Sequence, residues 1–220
     1  MYLGSLLKSV DKNYKKIPVA GICFDSRKIK KSDIFFAIEG NKKSGRKFVE
    51  EAINNGAAAV VINKNEKIKN KKISTIKVEN VRKSLSEAAA NYYKKKPSKI
   101  VAVTGTNGKS SVADFFYQIL DLCGKSAASI GTLGIVSKKY NKKTNLTSMD
   151  PVSLHQNLEN LVRRKINYVI LEASSHGLDQ NRLDNLKINT GMFTNLSRDH
   201  LDYHKNMKSY FNSKMYLFKN

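Results

Sequence analysis

Val103-Thr104-Gly105-Thr106-Asn107-Gly108-Lys109-Ser110-Ser111 is the stretch that decides the fold of this chain. It follows an apolar run at 100–103, which predicts a buried parallel strand, and it precedes residues 112–122, which predict a helix. A strand, a glycine-bearing turn, Gly-Lys-Ser and a helix can bind phosphate in that order. The glycines let backbone N–H groups approach the anion, and the helix N-terminus carries a partial positive charge. The stretch therefore predicts a phosphate-binding site on an α/β sheet.

The residue types of this loop match that chemistry. The amino group of Lys109 can reach the outer phosphate oxygens, and the hydroxyl group of Ser110 can ligate Mg²⁺. The spacing is shorter than that of the common Walker loop, which would place glycine where this chain has Val103. A tight strand-to-helix turn that happens to contain a lysine is the alternative at this point. The candidate cofactor-binding residues are Gly105, Thr106, Asn107, Gly108, Lys109, Ser110 and Ser111.

The net charge of this chain is high. Lys and Arg number 40 against 18 Asp and Glu, which gives +22 in 220 residues. Such a charge suggests a nucleic-acid partner. The excess is mostly lysine, however, and it is spread along the chain without a basic stripe interleaved with aromatic residues. We therefore expect a solvated, lysine-rich surface that attracts anionic substrates, and no nucleic-acid partner.

Location is predicted from what the sequence lacks. No apolar run approaches the ~20 residues of a membrane-spanning helix, and the N-terminus does not resemble a secretory signal. Cys23 and Cys123 are isolated and fit no metal-binding spacing. We therefore expect reduced thiols, no membrane insertion and a cytoplasmic protein. We also expect a monomer.

The chain is predicted to form two α/β domains, residues 1–97 and 98–220, joined by a charged, proline-containing linker at 94–98. Strand and helix patterns alternate throughout, so we expect the second domain to be a mostly parallel, doubly wound sheet. Residues 134–150 are predicted to be a polar loop. Ligands of such sheets bind beyond the carboxyl ends of the strands.

Two further polar positions follow predicted strands. Glu172 ends the apolar run 168–171, where a carboxylate is costly unless it meets a cation, and Mg²⁺ is the expected cation beside a nucleotide loop. A strand-end acid paired with a lysine is the alternative. His200 lies in the acid- and histidine-rich segment 199–204, where a zinc site with His204 is disfavoured because the order His-Glu-x-x-His is absent. We expect the phosphate loop, Glu172 and His200 to converge on one crevice.

Three segments together resemble the Mur ligases. They are the loop at 105–110, Glu172-Ala173-Ser174-Ser175-His176-Gly177-Leu178-Asp179-Gln180-Asn181-Arg182, and Phe193-Thr194-Asn195-Leu196-Ser197-Arg198-Asp199-His200-Leu201-Asp202-Tyr203-His204. The loop alone would also fit the folylpolyglutamate synthetases and any Mur ligase. The two longer segments are typical of a smaller group of proteins, and they favour the branch of the family that adds a diamino acid. Residues 25–27 and 33–40 look like the family's N-terminal domain, so the resemblance covers essentially the whole chain.

The resemblance implies an ATP-dependent amide ligase of peptidoglycan precursor synthesis. In such an enzyme ATP phosphorylates a carboxylate of UDP-N-acetylmuramoyl-L-alanyl-D-glutamate. The amine of a diamino acid, meso-diaminopimelate or L-lysine, then attacks the acyl phosphate. Mg²⁺ offsets the charge on the transferring phosphoryl group. The resemblance also implies that residues 1–97 bind the UDP-sugar and that residues 98–220 form part of the ATP-binding central domain.

Roles carried over by the resemblance fall on particular residues. Lys109, Glu172 and His200 match catalytic positions, and Ser110, Glu172 and His200 match metal ligands. Lys214 matches the lysine that carries a carbamate, which would make it a catalytic group and metal ligand, although its pattern alone predicts a lysine on a helix surface. The positions that match substrate-binding residues are Ser26, Asn41, Lys42, Lys43, Thr147, Ser148, Ser174, Gln180 and Arg182. The forked donors of Arg182 suit a carboxylate.

The sequence also departs from the family pattern. Ser110-Ser111 replaces the frequent Thr-Thr and keeps a hydroxyl group, while residues 146–151 differ from the usual motif and weaken the substrate assignment there. The rest of the family's central sheet and its amino-acid-binding C-terminal domain have no counterpart here. The resemblance therefore predicts a partial chain that binds nucleotide or UDP-sugar and does not form the amide bond by itself. The alternatives are another Mur ligase or a relative of the folylpolyglutamate synthetases and, from a different class, a basic protein that binds nucleotides or nucleic acid.

Overall fold

The structure, a computed structural model, describes residues 1–40, 44–68, 73–144 and 146–219. The chain divides into two compact units, Met1–Tyr93 and Lys94–Asn220. The division falls at the start of the linker predicted at 94–98. The functional assignment of each domain stays a prediction.

The first unit is built on a four-stranded parallel sheet whose spatial order, β1-β2-β3-β4, is also its sequence order. The strands are β1 (Gly21–Cys23), β2 (Asp33–Phe36), β3 (Ala59–Asn63) and β4 (Ser74–Val78). The α-helices are α1 (Leu3–Leu6), α2 (Val49–Asn54) and α3 (Val81–Tyr92), with short 3₁₀ turns at Lys12–Tyr14, Ser26–Lys28 and Gly45–Phe48. Val60 and Ile62 of β3 share an apolar core with Val49 and Ala52 of α2.

The second unit is built on a five-stranded sheet with the order β7-β6-β8-β5-β9. The strands are β5 (Lys99–Thr104), β6 (Ala127–Gly131), β7 (Gly134–Val136), β8 (Tyr168–Glu172) and β9 (Thr190–Phe193). The helices are α4 (Lys109–Leu122), α5 (Pro151–Arg163), α6 (Ser175–Asp179), α7 (Leu201–His204) and α8 (Met207–Met215), followed by a 3₁₀ turn at Tyr216–Phe218. Every strand pair except β6–β7 is parallel. The expected doubly wound α/β fold is confirmed.

Neighbouring strands β5 and β8 send their connections in opposite directions. From β5 the chain passes through α4 to β6, which lies on the far side of β8. From β8 it passes through α6 to β9, which lies on the far side of β5. Adjacent strands with divergent connections form a topological switch point, where open parallel sheets bind ligands. The sheet therefore provides a crevice beyond the carboxyl ends of β5 and β8.

Strand β7 corrects one prediction, because Gly134–Val136 lies in the stretch 134–150 that was expected to be a loop. It pairs antiparallel with β6, and the side chain of Ile135 is buried in the main core of the unit. Three residues are too few to show the alternation that identifies a strand in a sequence. The edge strand β7 was therefore not recognised in a stretch rich in lysine and asparagine.

Helix starts in the second unit follow local chemistry. The Asp150 side chain accepts a hydrogen bond from Ser153 N, and Pro151 takes the first helical position of α5, where its fixed φ and missing N–H are favourable. Asn206 caps α8 in the same way through Ser209 N. Over the stretches that the structure describes, no helix combines the length and apolar content needed to cross a membrane.

Candidate functional site

The phosphate loop connects the carboxyl end of β5 to the first turn of α4. Gly105 and Gly108 have φ angles of +146° and +82°, in the region that favours glycine. A side chain at Gly105 would also overlap Thr194. Gly108 is the N-cap of α4 and offers no side-chain acceptor, so the N–H groups of Lys109 and Ser110 lack partners inside the helix. The loop can present these donors to an anion.

The segment after β9 holds this loop in place. Thr106 N donates to Asn195 O at 2.9 Å, and Asn107 N donates to Asn195 Oδ1 at 3.0 Å. Thr106 Oγ1 accepts from Ser197 N at 3.0 Å and shares a 3.1 Å hydrogen bond with the Tyr210 hydroxyl group. Because Asn195 takes two of the loop amides, the amides oriented for an anion are those of the first turn of α4.

Two lysines donate to the same backbone carbonyl group. Lys109 Nζ donates to Gly105 O at 2.9 Å and to Thr106 O at 2.8 Å. Lys214 Nζ donates to Gly105 O at 2.6 Å and lies 4.3 Å from the centre of the Tyr210 ring. Burial lowers the pKa of Lys109, and burial together with the charge of Lys109 lowers the pKa of Lys214 to about 8. Lys214 is 1% exposed, so the surface position that its pattern predicts is wrong.

Glu172 lies at the carboxyl end of β8 and is buried. Its Oε2 accepts from Ser110 Oγ at 2.8 Å and from Thr132 Oγ1 at 3.2 Å, and its Oε1 accepts from Thr132 N at 2.8 Å. Among the described residues it forms no salt bridge with a lysine. Hydroxyl and amide donors, rather than a lysine, therefore satisfy this carboxylate.

His200 immediately precedes α7 in a left-handed conformation, with φ of +51°. Its ring centre lies 5.0 Å from that of His176 and 6.1 Å from that of Tyr210, and its Nε2 is 3.5 Å from Asp199 Oδ2. Because α7 begins after His200, this residue and His204 do not form a ligand pair on one helix face. A residue other than glycine in the left-handed conformation often lies at a functional position.

The side chains expected to meet the muramoyl-dipeptide form one connected polar group. Ser148 Oγ donates to Glu172 O at 2.9 Å and accepts from Ser174 N at 2.9 Å. Arg182 donates from Nη1 to Ser148 O at 2.6 Å and from Nη2 to Gln180 Oε1 at 2.7 Å. The guanidinium group of Arg182 is therefore oriented by the same segment that contacts the end of β8.

These elements surround one cavity of about 400 Å³ within the second unit, a volume typical of a small-molecule site. The predicted site residues that line it are Thr106, Asn107, Gly108, Lys109, Ser110, Ser111, Thr147, Glu172, Ser174, His200 and Lys214. Gly105 and Ser148 do not line it, but they form hydrogen bonds with Lys109 and Ser174, which do. Arg182 and Gln180 also lie outside the lining, and they connect to it through the hydrogen bond from Arg182 to Ser148. The expected convergence of the loop with Glu172 and His200 is thus present in the structure.

Predicted UDP-sugar contacts belong to the first unit. Ser26 is 4% exposed, and its hydroxyl group donates to Glu51 Oε2. It begins a 3₁₀ turn whose cap, Asp25, accepts from Arg27 N, and the Arg27 guanidinium holds the pKa of Asp25 below its usual value. Asn41, Lys42 and Lys43 lie outside the described residues.

Three residues of the cavity wall were not predicted: Thr132, Ser175 and Tyr210. The Ser175 hydroxyl group is buried and has no hydrogen-bond partner within the described ranges. Tyr210 is fully buried and joins α8 to the phosphate loop through Thr106. The sequence signal that could have identified Thr132 is its position at the carboxyl end of the apolar segment that forms β6, because ligand-binding residues concentrate there.

The oxygen atoms that line this cavity suit Mg²⁺ as ligands. The Ser110 hydroxyl group and the Glu172 carboxylate are oxygen ligands of the kind that Mg²⁺ prefers, and they lie in direct contact. In the part of the chain that the structure describes, no three His, Cys, Asp or Glu side chains are grouped to hold a metal by themselves. The protein would therefore supply few ligands, and phosphate and water oxygens would complete the coordination, as in many Mg²⁺–nucleotide sites.

Two protein-family models match this sequence. The model described as "Mur ligase middle domain" matches residues 103–220. The model described as "Mur ligase family, catalytic domain" matches residues 18–93. The first match alone covers more than half of the chain.

The sequence is also similar to curated proteins. One from Mesorhizobium japonicum is 45% identical over 202 residues, which cover 92% of this chain and 42% of that protein. One from Rickettsia felis is 43% identical over 210 residues, which cover 93% of this chain and 39% of that protein. Both are named UDP-N-acetylmuramoyl-L-alanyl-D-glutamate--2,6-diaminopimelate ligase. This chain spans about two-fifths of the length of these relatives.

Solved structures show the same fold. A structure of a UDP-N-acetylmuramoyl-L-alanyl-D-glutamate--2,6-diaminopimelate ligase matches all of this chain and 45% of its own, with a TM-score of 0.86 and 30% identity. A MurF ligase from Thermotoga maritima in complex with ADP matches 91% of this chain and 43% of its own, with a TM-score of 0.59 and 20% identity. At that identity the second likeness concerns the fold alone.

Proposed function

Because this chain belongs to the Mur ligase family, we propose that it forms the nucleotide site and part of the acceptor site of an ATP-dependent amide ligase. The ligase would join 2,6-diaminopimelate to UDP-N-acetylmuramoyl-L-alanyl-D-glutamate, the reaction in the names of both relatives. One observation carries the proposal. Lys109, Ser110, Glu172 and Lys214 converge on a single cavity at the switch point of the sheet.

On the nucleotide side, each group has a task that its geometry supports. The N–H groups of the first turn of α4 would bind phosphate oxygens, since they lack acceptors in the helix. Lys109 would leave the carbonyl oxygens of Gly105 and Thr106 to meet a phosphate. Ser110 and Glu172 would hold Mg²⁺, with His200 at the rim as a further ligand. When bound, Mg·ATP supplies the phosphoryl group that activates the acceptor carboxylate.

Lys214 has the environment that a carbamate-forming lysine needs. Only the neutral amine reacts with CO₂, and a pKa of about 8 leaves an appreciable neutral fraction near pH 7.5. The nearby Lys109 ammonium would then stabilise the negative charge of the carbamate. We therefore assign Lys214 as a carbamylated ligand and positioning group for Mg²⁺.

On the acceptor side, Arg182 is the group suited to a substrate carboxylate, because a guanidinium can donate two parallel hydrogen bonds. Ser148 and Gln180 hold it in place, while Thr147 and Ser174 reach the cavity wall. Ser26 and residues 41–43 of the first unit are proposed to bind the UDP-sugar. A cytoplasmic location follows from a reaction that consumes ATP and a UDP-linked precursor. The monomeric state stays a prediction.

Isothermal titration calorimetry tests the proposal with two ligands, Mg²⁺ with a non-hydrolysable ATP analogue, and UDP-N-acetylmuramoyl-L-alanyl-D-glutamate. Lys109→Ala should weaken nucleotide binding by about 10- to 100-fold, the value of a charged hydrogen bond, and leave the UDP ligand unaffected. Arg182→Ala should do the reverse. Lys187→Ala and Arg163→Ala remove exposed cations of the same unit away from the cavity and serve as matched controls.

The pattern of losses discriminates between explanations. If all four variants weaken binding equally and salt abolishes it, the chain is a non-specific anion binder, which contradicts the proposal. If the UDP ligand binds neither the unsubstituted chain nor the controls while the nucleotide does, the acceptor half of the proposal is wrong and the nucleotide half stands.

A further inference from the structure

Thr132 lines the cavity and contacts both Glu172 and Thr147. Neither the sequence nor the resemblance to the family predicted a role for it. It directly follows Gly131, the last residue of β6, and its exposed side chain lines the cavity. We propose that Thr132 is a positioning residue that fixes the Glu172 carboxylate and transmits occupancy of the acceptor side, at Thr147, to the Mg²⁺–nucleotide side. The inference rests on the function proposed above.

Thr132 contacts both oxygens of Glu172. Its backbone N donates to Oε1 at 2.8 Å, and its hydroxyl group donates to Oε2 at 3.2 Å. Ser110 Oγ donates to Oε2 as well, at 2.8 Å. A carboxylate held at both oxygens has little rotational freedom, so Thr132 sets the direction in which Glu172 can offer its remaining lone pairs to a cation.

The backbone makes this contact possible. Strands β6 and β8 are parallel neighbours, with Ile130 opposite Leu171, so their carboxyl ends lie side by side. The Glu172 carboxylate lies across the end of β6 against Gly131, where any side chain would overlap it. The position of Thr132 beside Glu172 is therefore built into the sheet and does not depend on a surface loop.

The Thr132 hydroxyl group also touches the acceptor side. Thr132 Oγ1 lies 3.0 Å from Thr147 Oγ1. A hydroxyl group has one proton, and when Thr132 gives it to Glu172, the 3.0 Å contact must be donated by Thr147. The result is a directed chain in which Thr147 donates to Thr132 and Thr132 donates to Glu172. A ligand that takes the Thr147 proton changes the hydrogen bond that Glu172 receives.

Such a chain predicts thermodynamic coupling between the two ligands. The acceptor substrate should change the affinity for Mg²⁺–nucleotide, and by linkage the nucleotide should change the affinity for the acceptor by the same factor. Removal of the Thr132 hydroxyl group should abolish the coupling, because it breaks the side-chain hydrogen bonds that link Thr147 to the Glu172 carboxylate through Thr132. It should also reduce the benefit of Mg²⁺, because one donor no longer orients the carboxylate.

The test uses Thr132→Val, which keeps the shape and the backbone N–H and removes the hydroxyl group, and Thr132→Ser, which keeps the hydroxyl group. Thr144→Val is the matched control, because the contacts found for the Thr144 hydroxyl group among the described residues are with backbone oxygens, Gly131 O and Leu146 O, each at 3.4 Å. Calorimetry measures binding of the ATP analogue with and without Mg²⁺, and with and without saturating UDP-N-acetylmuramoyl-L-alanyl-D-glutamate. Urea unfolding of each variant checks that the fold is retained.

We expect Thr132→Val to weaken Mg²⁺-dependent nucleotide binding by about 10-fold, to leave Mg²⁺-independent binding unchanged and to set the coupling factor to one. Thr132→Ser and Thr144→Val should stay within about 2-fold of the unsubstituted chain. Equal Mg²⁺ dependence and equal coupling in Thr132→Val and the unsubstituted chain would overturn the inference alone. An unsubstituted chain that binds no nucleotide would overturn the proposed function and the inference together, and one that binds both ligands without coupling would overturn the link to Thr147.

Discussion

The two sheets of this chain are both parallel, yet they differ in how their strands are ordered. In the described part of the first unit each strand is added next to the preceding one, so all the connections between neighbouring strands run in the same direction. In the second unit β5 and β8 diverge, and the phosphate loop and Glu172 occupy the ends of those two strands. A parallel sheet concentrates ligand-binding groups where its winding direction reverses. Strand order, more than strand content, explains why the cavity that holds the predicted catalytic residues lies in the second unit.

Two buried carboxylates show the same contrast at the level of single residues. Asp33 begins β2 in the first unit, and its Oδ2 accepts from Lys30 N at 2.9 Å, which closes a turn. Glu172 ends β8, and its oxygens accept from Ser110 and Thr132 at the cavity wall. Both residues are less than 10% exposed. One carboxylate completes the local backbone structure, and the other faces a site.

Lys214→Arg gives the largest expected effect and tests how far the second unit is adapted to a neutral amine. Arginine stays charged in a site where burial favours the neutral form. We expect the free energy of unfolding at pH 8 to fall by about 4 kcal/mol, the scale of an uncompensated buried charge. Lys214→Met, which removes the charge at similar length, should cost much less. Urea unfolding of both variants measures the two changes in the free energy of unfolding. Equal losses in Lys214→Arg and Lys214→Met would contradict the explanation from charge.

Glu172→Gln should produce the largest change in binding. The amide keeps the shape but loses the negative charge, so Mg²⁺ should no longer strengthen binding of the nucleotide. We expect affinity in the presence of Mg²⁺ to fall by about 100-fold and affinity in its absence to change little, as measured by calorimetry. A loss of the same size without Mg²⁺ would mean that Glu172 supports the loop and not the metal.

The stability of the second unit should depend on pH through its histidines, because all four histidines of the chain lie in that unit. The largest contribution is expected from His155. It is fully buried on α5, and burial together with the charge of Lys96 lowers its pKa to about 3. In the unfolded chain the His155 ring gains a proton as the pH falls through 6.5, whereas in the folded chain it stays neutral until the pH approaches 3. Stability is therefore fully present above pH 6.5 and is lost as pH falls towards 3. At pH 5 this single group should cost about 2 kcal/mol relative to pH 7.5.

The control for this effect is His155→Leu, which removes the titrating group and keeps an apolar side chain. His176 and His204 also have pKa values lowered by burial and contribute in the same direction, so the informative quantity is the difference between variant and unsubstituted chain. Urea unfolding at pH 7.5 and pH 5 should show a smaller loss for His155→Leu. An identical loss in both proteins would place the acid sensitivity elsewhere.

Different parts of the site were predictable from the sequence to different degrees. The phosphate loop could be found because its residues are adjacent in sequence and their conformations follow from glycine and helix-start chemistry. Glu172 could be found because a charged residue ending an apolar run is unusual. Lys214 could not be placed by pattern, because its burial depends on contacts with Gly105 and Tyr210 that no periodicity in α8 reports. Thr132 was missed for a similar reason, since its partners Glu172 and Thr147 are distant in sequence.

Asp33→Asn has the smallest expected effect and completes the comparison of the two carboxylates. The amide can still accept the hydrogen bond from Lys30 N, but a neutral acceptor is weaker than a charged one, so the turn before β2 should lose about 1 kcal/mol. Nucleotide affinity should be unchanged, because the residue belongs to the unit without the switch point. Urea unfolding and calorimetry on the same preparation measure both quantities. A change in Mg²⁺-dependent nucleotide binding as large as that of Glu172→Gln would mean that strand order does not determine which buried acid serves the site.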